Sequence, residues 1–121
     1  MQEVSEAISF QMAEHTVFET DNCIVTQRDG DCSYHVSFFG TSLDLKFCGL
    51  YAFHKKLKAV DLIGMFEAHA PCVELIYLAQ SDRILAFDLE QIVELMDFFE
   101  GTFAMLQLNS LIHEKTIRPL V

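Results

Sequence analysis

The spacing of apolar residues changes near residue 50, and this change constrains the fold more than any other feature of the sequence. Before it, apolar residues occupy alternate positions in CSYHVSFF (32–39) and in SLDLKF (42–47). A period of two residues is typical of a β-strand with one buried and one polar face. After it, Phe53, Leu57 and Val60 are spaced four and three apart with lysines between them, which predicts an amphipathic helix. The chain therefore changes from strands to a helix at this point.

Turn sequences separate the predicted strands. Asp29-Gly30 follows CIVTQR (23–28) and suits a type I′ hairpin turn, in which both central residues need positive φ. Residues 40–42 (GTS) supply a second turn. Two further β-rich runs, CVELIYLA (72–79) and RILAF (83–87), are separated by the short sequence QSD. Strands so close along the chain are typical of an antiparallel meander.

A long second helix is predicted from Leu89 to about His113. Asp88 precedes it as the N-cap, and Gln91 three residues later completes a capping box. We expect Gly101 to kink or loosen the middle of the helix, because glycine is a weak helix former. The apolar stripe of this helix steps by four and three residues: Ile92, Met96, Phe99, Phe103 and Leu106.

The two halves of the chain match at an offset of 40 residues. Cys32 falls on Cys72, Cys48 falls on Asp88, and each half is a strand, a turn, a strand and a helix. An internal duplication explains this match, and so does the physics that any two ββα units share. Under this alignment Cys48 occupies a helix-cap position, where it is a poorer capping residue than Asp88.

We predict an α+β fold in which an antiparallel sheet of about five strands carries two helices on one face. The arrangement is a ββα-ββα internal repeat plus an N-terminal strand. At 121 residues the chain fits a single domain, 1–121, that is large enough to bury a core. Its parts are a first unit at 23–70, a second unit at 72–113 and an N-terminal extension at 1–22.

The second unit has an apolar face that the predicted helices do not cover. If the strand register of the first unit carries over, Ile76 and Leu78 face the helices, and other apolar residues lie on the open face. The long helix also carries apolar residues beyond its core stripe. Together these residues form the predicted interface: Val73, Leu75, Tyr77, Ile84, Phe98, Met105, Leu108 and Ile112. Either a second copy of the chain covers the open face, as a homodimer, or the run AISFQM (7–12) does so.

The net charge of −10, from 18 acidic and 8 basic residues, repels phosphate backbones and anionic lipid surfaces. The one basic cluster, between His54 and Lys58, is typical of a solvated helix face. We therefore predict neither nucleic acid nor membranes as partners, and no apolar run approaches the roughly 20 residues of a membrane span. The start of the chain lacks the basic segment of a signal peptide, so we expect a cytoplasmic protein.

Cys48 is the first candidate for catalysis, because it stands where a strand is followed by a helix. Free backbone N–H groups at a helix start lower the pKa of a thiol and make it nucleophilic. A catalytic thiol also needs a base, and His35 lies on a neighbouring predicted strand. The alternative is a small, half-buried junction residue, since free cysteine is among the most buried residue types. No nucleotide-binding or serine-nucleophile motif accompanies it.

A zinc site would use the cysteines and histidines of the chain. The nearest ligand pairs are Cys23 with Cys32, across the Asp-Gly turn, and His69 with Cys72, around a proline. Structural zinc sites usually have ligand pairs two to four residues apart, and only the HAPC sequence comes close to this. A zinc-stabilised domain is kept as an alternative, and no cofactor is predicted.

The segment CSYHVSFFGTSLDLKF (32–47), with the helix that follows it to Leu57, resembles small bacterial domains of unknown function. The resemblance implies a stand-alone bacterial cytosolic protein. It implies no active-site residue.

The surplus of apolar residues decides between the function classes. Hydrophobic residues make up 51% of the chain and the mean hydropathy is +0.25, which is high for a chain without a membrane span. We therefore expect a non-enzymatic interaction protein that self-associates as a homodimer, with an unidentified protein as a further partner. A small-ligand or thiol enzyme that uses Cys48 at the helix start is the alternative, followed by the zinc-stabilised domain.

Overall fold

The structure, a computed structural model, describes residues 14–28, 33–68 and 72–117, and the side chains of the last helix as far as Leu111. In chain order the elements are β1 (Glu14–Glu19), β2 (Cys23–Arg28), β3 (Ser33–Phe38), β4 (Thr41–Leu45), α1 (Phe47–Lys58), α2 (Leu62–Glu67), β5 (Glu74–Leu78), β6 (Arg83–Phe87) and α3 (Leu89–Ile117). The predicted α+β class is confirmed, and β1 is a strand within the predicted N-terminal extension. The run AISFQM (7–12) lies outside the described residues.

The described strands are divided between two antiparallel sheets, whereas the sequence predicts one. The first four strands follow one another in a meander, and β5 pairs with β6 in a separate hairpin. The chain between β4 and β5 folds into α1 and α2, and α1 contacts both strands. Among the described residues there is one more helix than predicted, because Asp61 starts α2 by accepting a hydrogen bond of 3.0 Å from the Gly64 N–H.

Alternation along β3 and β4 produces the two faces that the sequence predicts. The apolar side chains within these two strands are all buried: Tyr34, Val36, Phe38, Leu43 and Leu45. Phe47, at the end of the predicted alternation, is instead the first residue of α1 and is 51% exposed. On the opposite face, polar side chains contact one another across the strands, as Ser37 and Ser42 do with a hydroxyl separation of 3.0 Å. Register in this sheet is therefore set by the burial of one face.

The starts of α1 and α3 differ in their capping. At α3 the Gln91 N–H donates to Asp88 Oδ1 (2.9 Å) and the Asp88 N–H donates to Gln91 Oε1 (3.0 Å), which confirms the predicted capping box. At α1 the cap residue is Lys46, whose side chain makes no capping hydrogen bond. Cys48 is thus the second residue of α1 and does not occupy the cap position that its alignment with Asp88 predicts. The two helix starts do not share the 40-residue offset, so the internal repeat stays a prediction.

Four phenylalanines from four different elements form the centre of the core. The ring centroid of Phe53 on α1 lies 5.6 Å from Phe38 on β3, 6.3 Å from Phe87 on β6 and 4.9 Å from Phe99 on α3. All four side chains are buried. Aromatic pairs at such distances stabilise a fold by about 0.5–1.5 kcal/mol beyond the burial of their area. This aromatic cluster joins both sheets to α1 and α3.

The helix α3 is covered on two sides. Ile92 and Phe99 of its predicted stripe are fully buried, and β1 covers the adjoining side, where the Phe18 ring lies 6.2 Å from that of Phe98. Phe98 is consequently 0% exposed. The structure therefore corrects the prediction of Phe98 as an interface residue, because β1 occupies the side of α3 that the sequence leaves open.

Gly101 permits this close approach of β1 to α3. The helix is continuous through Gly101, and the predicted kink or loosening there stays a prediction. A Cβ atom at this position would overlap Cε2 and Cζ of Phe18. The glycine is thus explained by packing against an aromatic ring.

We expect Gly101→Ala to lower the free energy of unfolding by about 1–3 kcal/mol, because the added methyl group overpacks the contact with Phe18. This overpacking acts against the higher helix propensity of alanine, which by itself would stabilise the helix by about 1 kcal/mol relative to glycine. Urea unfolding measures the change. In a Phe18→Leu background the same substitution should cost less, and an equal cost in both backgrounds would contradict this explanation.

Candidate functional site

The outer face of the β5–β6 hairpin exposes large apolar side chains. Leu75 is 66% exposed, Tyr77 46% and Ile84 67%, and Val73 just before the hairpin is 55% exposed. Tyr77 and Ile84 are direct cross-strand neighbours in the ladder. These four residues, called the hairpin surface below, are predicted interface residues that the structure leaves open to solvent.

The inner face of the same hairpin belongs to the core, in contrast to the outer face. The inner side chains are all buried: Ile76, Leu78, Leu85 and Phe87. They lie on the side of the hairpin that packs against α1 and α3. Both faces of a two-stranded sheet are therefore apolar, and only one of them contributes to the core.

Tyr77 is held in place at the centre of the hairpin surface. Its hydroxyl donates to Asp82 Oδ1 in the hairpin turn (3.0 Å), and Lys56 Nζ lies 5.6 Å from its ring centroid. A cation this close to an aromatic face is attracted by the ring quadrupole. The ring is thus oriented before any partner binds.

The predicted interface residues on α3 are distributed differently. Met105 is partly buried against the core, and Leu108 is 47% exposed. The side chain of Ile112 lies outside the described residues. Their role in an interface stays a prediction.

Cys48 is exposed in the first turn of α1 and has one defined partner. Gln80 Nε2, from the β5–β6 turn, donates to Cys48 Sγ at 2.9 Å. Gly49 makes this approach possible, since a Cβ at that position would overlap Gln80 Oε1. The two side chains border a cavity of about 230 Å³, whose other wall includes Lys56. A small cavity beside Cys48 is therefore present among the described residues.

The structure does not bring the predicted base to this thiol. His35 is on the polar face of the four-stranded sheet, where its Nδ1 lies 2.7 Å from Asp44 Oδ1. No histidine lines the cavity beside Cys48 in the described part of the chain. Catalysis by Cys48 and His35 therefore stays a prediction without a geometric basis.

The predicted zinc ligands are only partly described. Burial raises the pKa of the Cys23 thiol to about 11, although a hydrogen bond with Thr20 opposes the shift. Since zinc binds the thiolate, a buried and protonated Cys23 is a poor ligand. Cys72 is partly buried, and Cys32 and His69 lie outside the described residues. Within the described ranges no group of three or more His, Cys, Asp or Glu side chains is placed to hold a metal ion.

A groove between α1 and α3 was not predicted. Its volume is about 490 Å³, and it is lined by Phe47, Tyr51, His54, Lys58, Phe103, Leu106 and Gln107. The α1 members recur at four, three and four residues, which is a second helical stripe beside the buried one. That spacing could have revealed the groove, but the lysines around it favour interpretation as a solvated face.

His54 lies in an unusual environment within this groove. Its imidazole stacks on Phe103 with centroids 5.3 Å apart and on Phe99 at 5.9 Å. Its Nε2 atom is buried and has no hydrogen-bond partner. Burial and the nearby Lys58 ammonium lower the pKa of His54, against a smaller opposing effect of Glu100. The neutral imidazole is therefore favoured.

Comparisons with protein families, with curated proteins and with solved structures give no match, so the resemblance to small bacterial domains stays a prediction. Among the described residues, no helix is both long enough and apolar enough to cross a membrane. The hairpin surface and the α1–α3 groove are thus the features from which a function can be inferred.

Because the pKa of His54 is lowered in the folded chain, we expect the free energy of unfolding to decrease at mildly acidic pH. The unfolded chain binds a proton at this residue near pH 6.5, whereas the folded chain resists protonation. The stabilising contribution of neutral His54 is therefore complete above pH 6.5 and is lost as the pH falls through that value.

We expect His54→Phe, which keeps the stacking on Phe99 and Phe103, to lose less stability than the wild type between about pH 7.5 and about pH 5.5. Urea unfolding at both pH values measures the difference. An identical loss in the two proteins would show that His54 titrates normally in the folded state.

Proposed function

We propose that the protein is a non-enzymatic interaction module that self-associates as a homodimer through the hairpin surface. The observation that carries the proposal is the exposure of Val73, Leu75, Tyr77 and Ile84, between 46% and 67% each, on one face of one hairpin. A twofold axis would place the same surface of each copy against the other. Each copy would then remove from water the apolar residues that the other exposes.

The chemistry around the hairpin surface supports a self-complementary contact. Asp82 accepts a hydrogen bond from the Tyr77 hydroxyl, and Lys56 lies beside the Tyr77 ring. The rim therefore carries charges of both signs, which can pair with their opposites across a twofold axis. A stable interface buries about 800 Å² per partner, so the hairpin surface would form its apolar centre and these residues its edge.

Tyr77 favours binding for a separate reason. Its hydroxyl is already bonded to Asp82 and its ring is already paired with Lys56. Less side-chain entropy is lost when a fixed aromatic ring enters an interface. Tyrosine is also among the residues that most often dominate binding energy in interfaces.

We place this interaction module in the cytoplasm. Among the described cysteines, Cys23, Cys48 and Cys72 are free thiols, which supports a reducing compartment.

The proposal predicts that wild-type protein is dimeric at micromolar concentration in sedimentation experiments. Leu75→Thr combined with Ile84→Thr places threonine, a good strand former, at both positions but should weaken association at least about tenfold, because two exposed apolar side chains leave the interface. Val93→Gln is the matched control, since Val93 is 44% exposed on α3 and does not belong to the hairpin surface. It should leave association unchanged.

The dependence of association on salt concentration provides a second test of the proposal. Two copies that each carry a net charge of −10 repel one another, and salt screens that repulsion. Raising NaCl from about 0.05 M to about 0.5 M should therefore strengthen an association that apolar contacts drive. A monomer at micromolar concentration would refute the proposal, and so would equal association of the Thr double variant and the wild type. The homodimer would also be refuted if the chain is monomeric and a different protein binds to its hairpin surface.

A further inference from the structure

We propose that the N-terminal segment 1–13 docks in the α1–α3 groove of its own chain through its apolar run AISFQM (7–12). This segment lies outside the described residues. The groove and the hairpin surface have no residue in common, so the inference does not depend on the proposed self-association.

The α1–α3 groove continues into a second cavity that ends near the start of the described chain. The second cavity has a volume of about 730 Å³ and shares Phe47 and Leu106 with the groove. His15, the second described residue, is part of its lining. The chain therefore enters the described structure beside a continuous concave surface, and segment 1–13 is attached at the edge of that surface.

The length of segment 1–13 fits the groove. An extended chain spans about 3.3–3.6 Å per residue, so Met12 can reach about 10 Å from His15, and Ile8 can reach about 24 Å. The side of α1 that lines the groove extends from Phe47 to Lys58, which is about 17 Å at a rise of 1.5 Å per residue. The run AISFQM is thus long enough to cover the groove.

The groove exposes apolar surface that suits this run. Phe47 and Tyr51 are 51% and 54% exposed, although each contacts Phe103 edge to face, with ring centroids 5.7 Å and 6.4 Å from that of Phe103. The run supplies three large apolar side chains, Ile8, Phe10 and Met12. Docking would remove apolar surface of both the rings and the segment from water.

The position of the groove on α1 favours it over the hairpin surface, which is also apolar and exposed. Lys56 lies over Tyr77 of the hairpin surface, whereas His54 and Lys58 line the groove. Residues two positions apart on an α-helix are about 200° apart around its axis, so the two surfaces lie on opposite sides of α1. Segment 1–13 is attached on the groove side, next to His15, and would have to cross α1 to reach the hairpin surface.

Attachment to the chain favours this segment over the same run of a second copy. A segment on a short tether has an effective concentration of about 1 mM. A contact with a dissociation constant of about 0.1 mM between separate molecules would then be about 90% formed within one molecule. At micromolar protein concentration the same contact between two copies would be almost absent.

The test is an NOE experiment on the ¹³C-labelled full chain. We expect NOEs from the Phe10 ring to the side chains of Tyr51 and Leu106, which line the groove. Their intensity per labelled molecule should stay the same when the labelled protein is diluted about tenfold with unlabelled protein, because the contact lies within one molecule.

Substitutions in the segment test the apolar contact itself. Phe10→Ser should lower the equilibrium constant for docking at least about tenfold, because a large apolar side chain leaves the contact. The NOEs of Ile8 with the groove measure the docked fraction of the variant. Gln11→Ser is the matched control, since it changes the neighbouring position without removing apolar surface, and it should alter the equilibrium constant less than about twofold.

Any of four results would overturn the inference. The first is that Phe10 shows no NOE to a residue that lines the groove. The second is a set of NOEs from Phe10 to Leu75 or Ile84, which would locate the segment at the hairpin surface. The third is that an isotope-filtered experiment assigns the NOEs with the groove to contacts between copies. The fourth is that Phe10→Ser docks as completely as the wild type.

Discussion

The packing of Phe38, Phe53, Phe87 and Phe99 is the interaction on which the rest of the structure depends. Each ring comes from a different element, and Phe53 on α1 contacts the other three. The described strands of the two sheets do not pair with one another, and side-chain contacts of this kind hold the sheets in one core. Because interiors are close-packed, the orientation of α1 follows from this contact, and the faces that α1 presents elsewhere follow with it.

The position of α1 determines both surfaces on which the proposals rest. Two lysines of the basic cluster lie on different sides of α1. Lys56 lies over Tyr77 at the hairpin surface, and Lys58 lines the α1–α3 groove. The hairpin surface thus has one exposed aromatic ring beside Lys56, and the groove has the exposed rings of Phe47 and Tyr51 together with Lys58 in its lining, although the chain as a whole is strongly acidic. The two surfaces have no residue in common.

Local patterns in the sequence predicted those features that depend on local physics. Alternation identified the buried faces of β3 and β4, and the spacing of Asp88 and Gln91 identified the start of α3. The same alternation identified Leu75 and Ile84 as exposed, because a strand with one buried face must turn its other residues outward.

Features that depend on contacts between distant parts of the chain were not predictable in this way. Phe98 is buried because β1, 80 residues earlier, covers α3, and a helical pattern does not identify its neighbours. Gly101 has the same explanation through Phe18. The α1–α3 groove was missed because its aromatic residues are interspersed with lysines, and its second wall comes from a helix far along the chain.

We propose that the hairpin surface is the contact between two copies of the chain. The most direct measurement is an isotope-filtered NOE experiment on a mixture of ¹³C-labelled and unlabelled protein, which detects only contacts between copies. We predict intermolecular NOEs between the methyl groups of Leu75 and Ile84 in one copy and the ring of Tyr77 in the other. A dimer whose intermolecular NOEs arise elsewhere and exclude these side chains would contradict it.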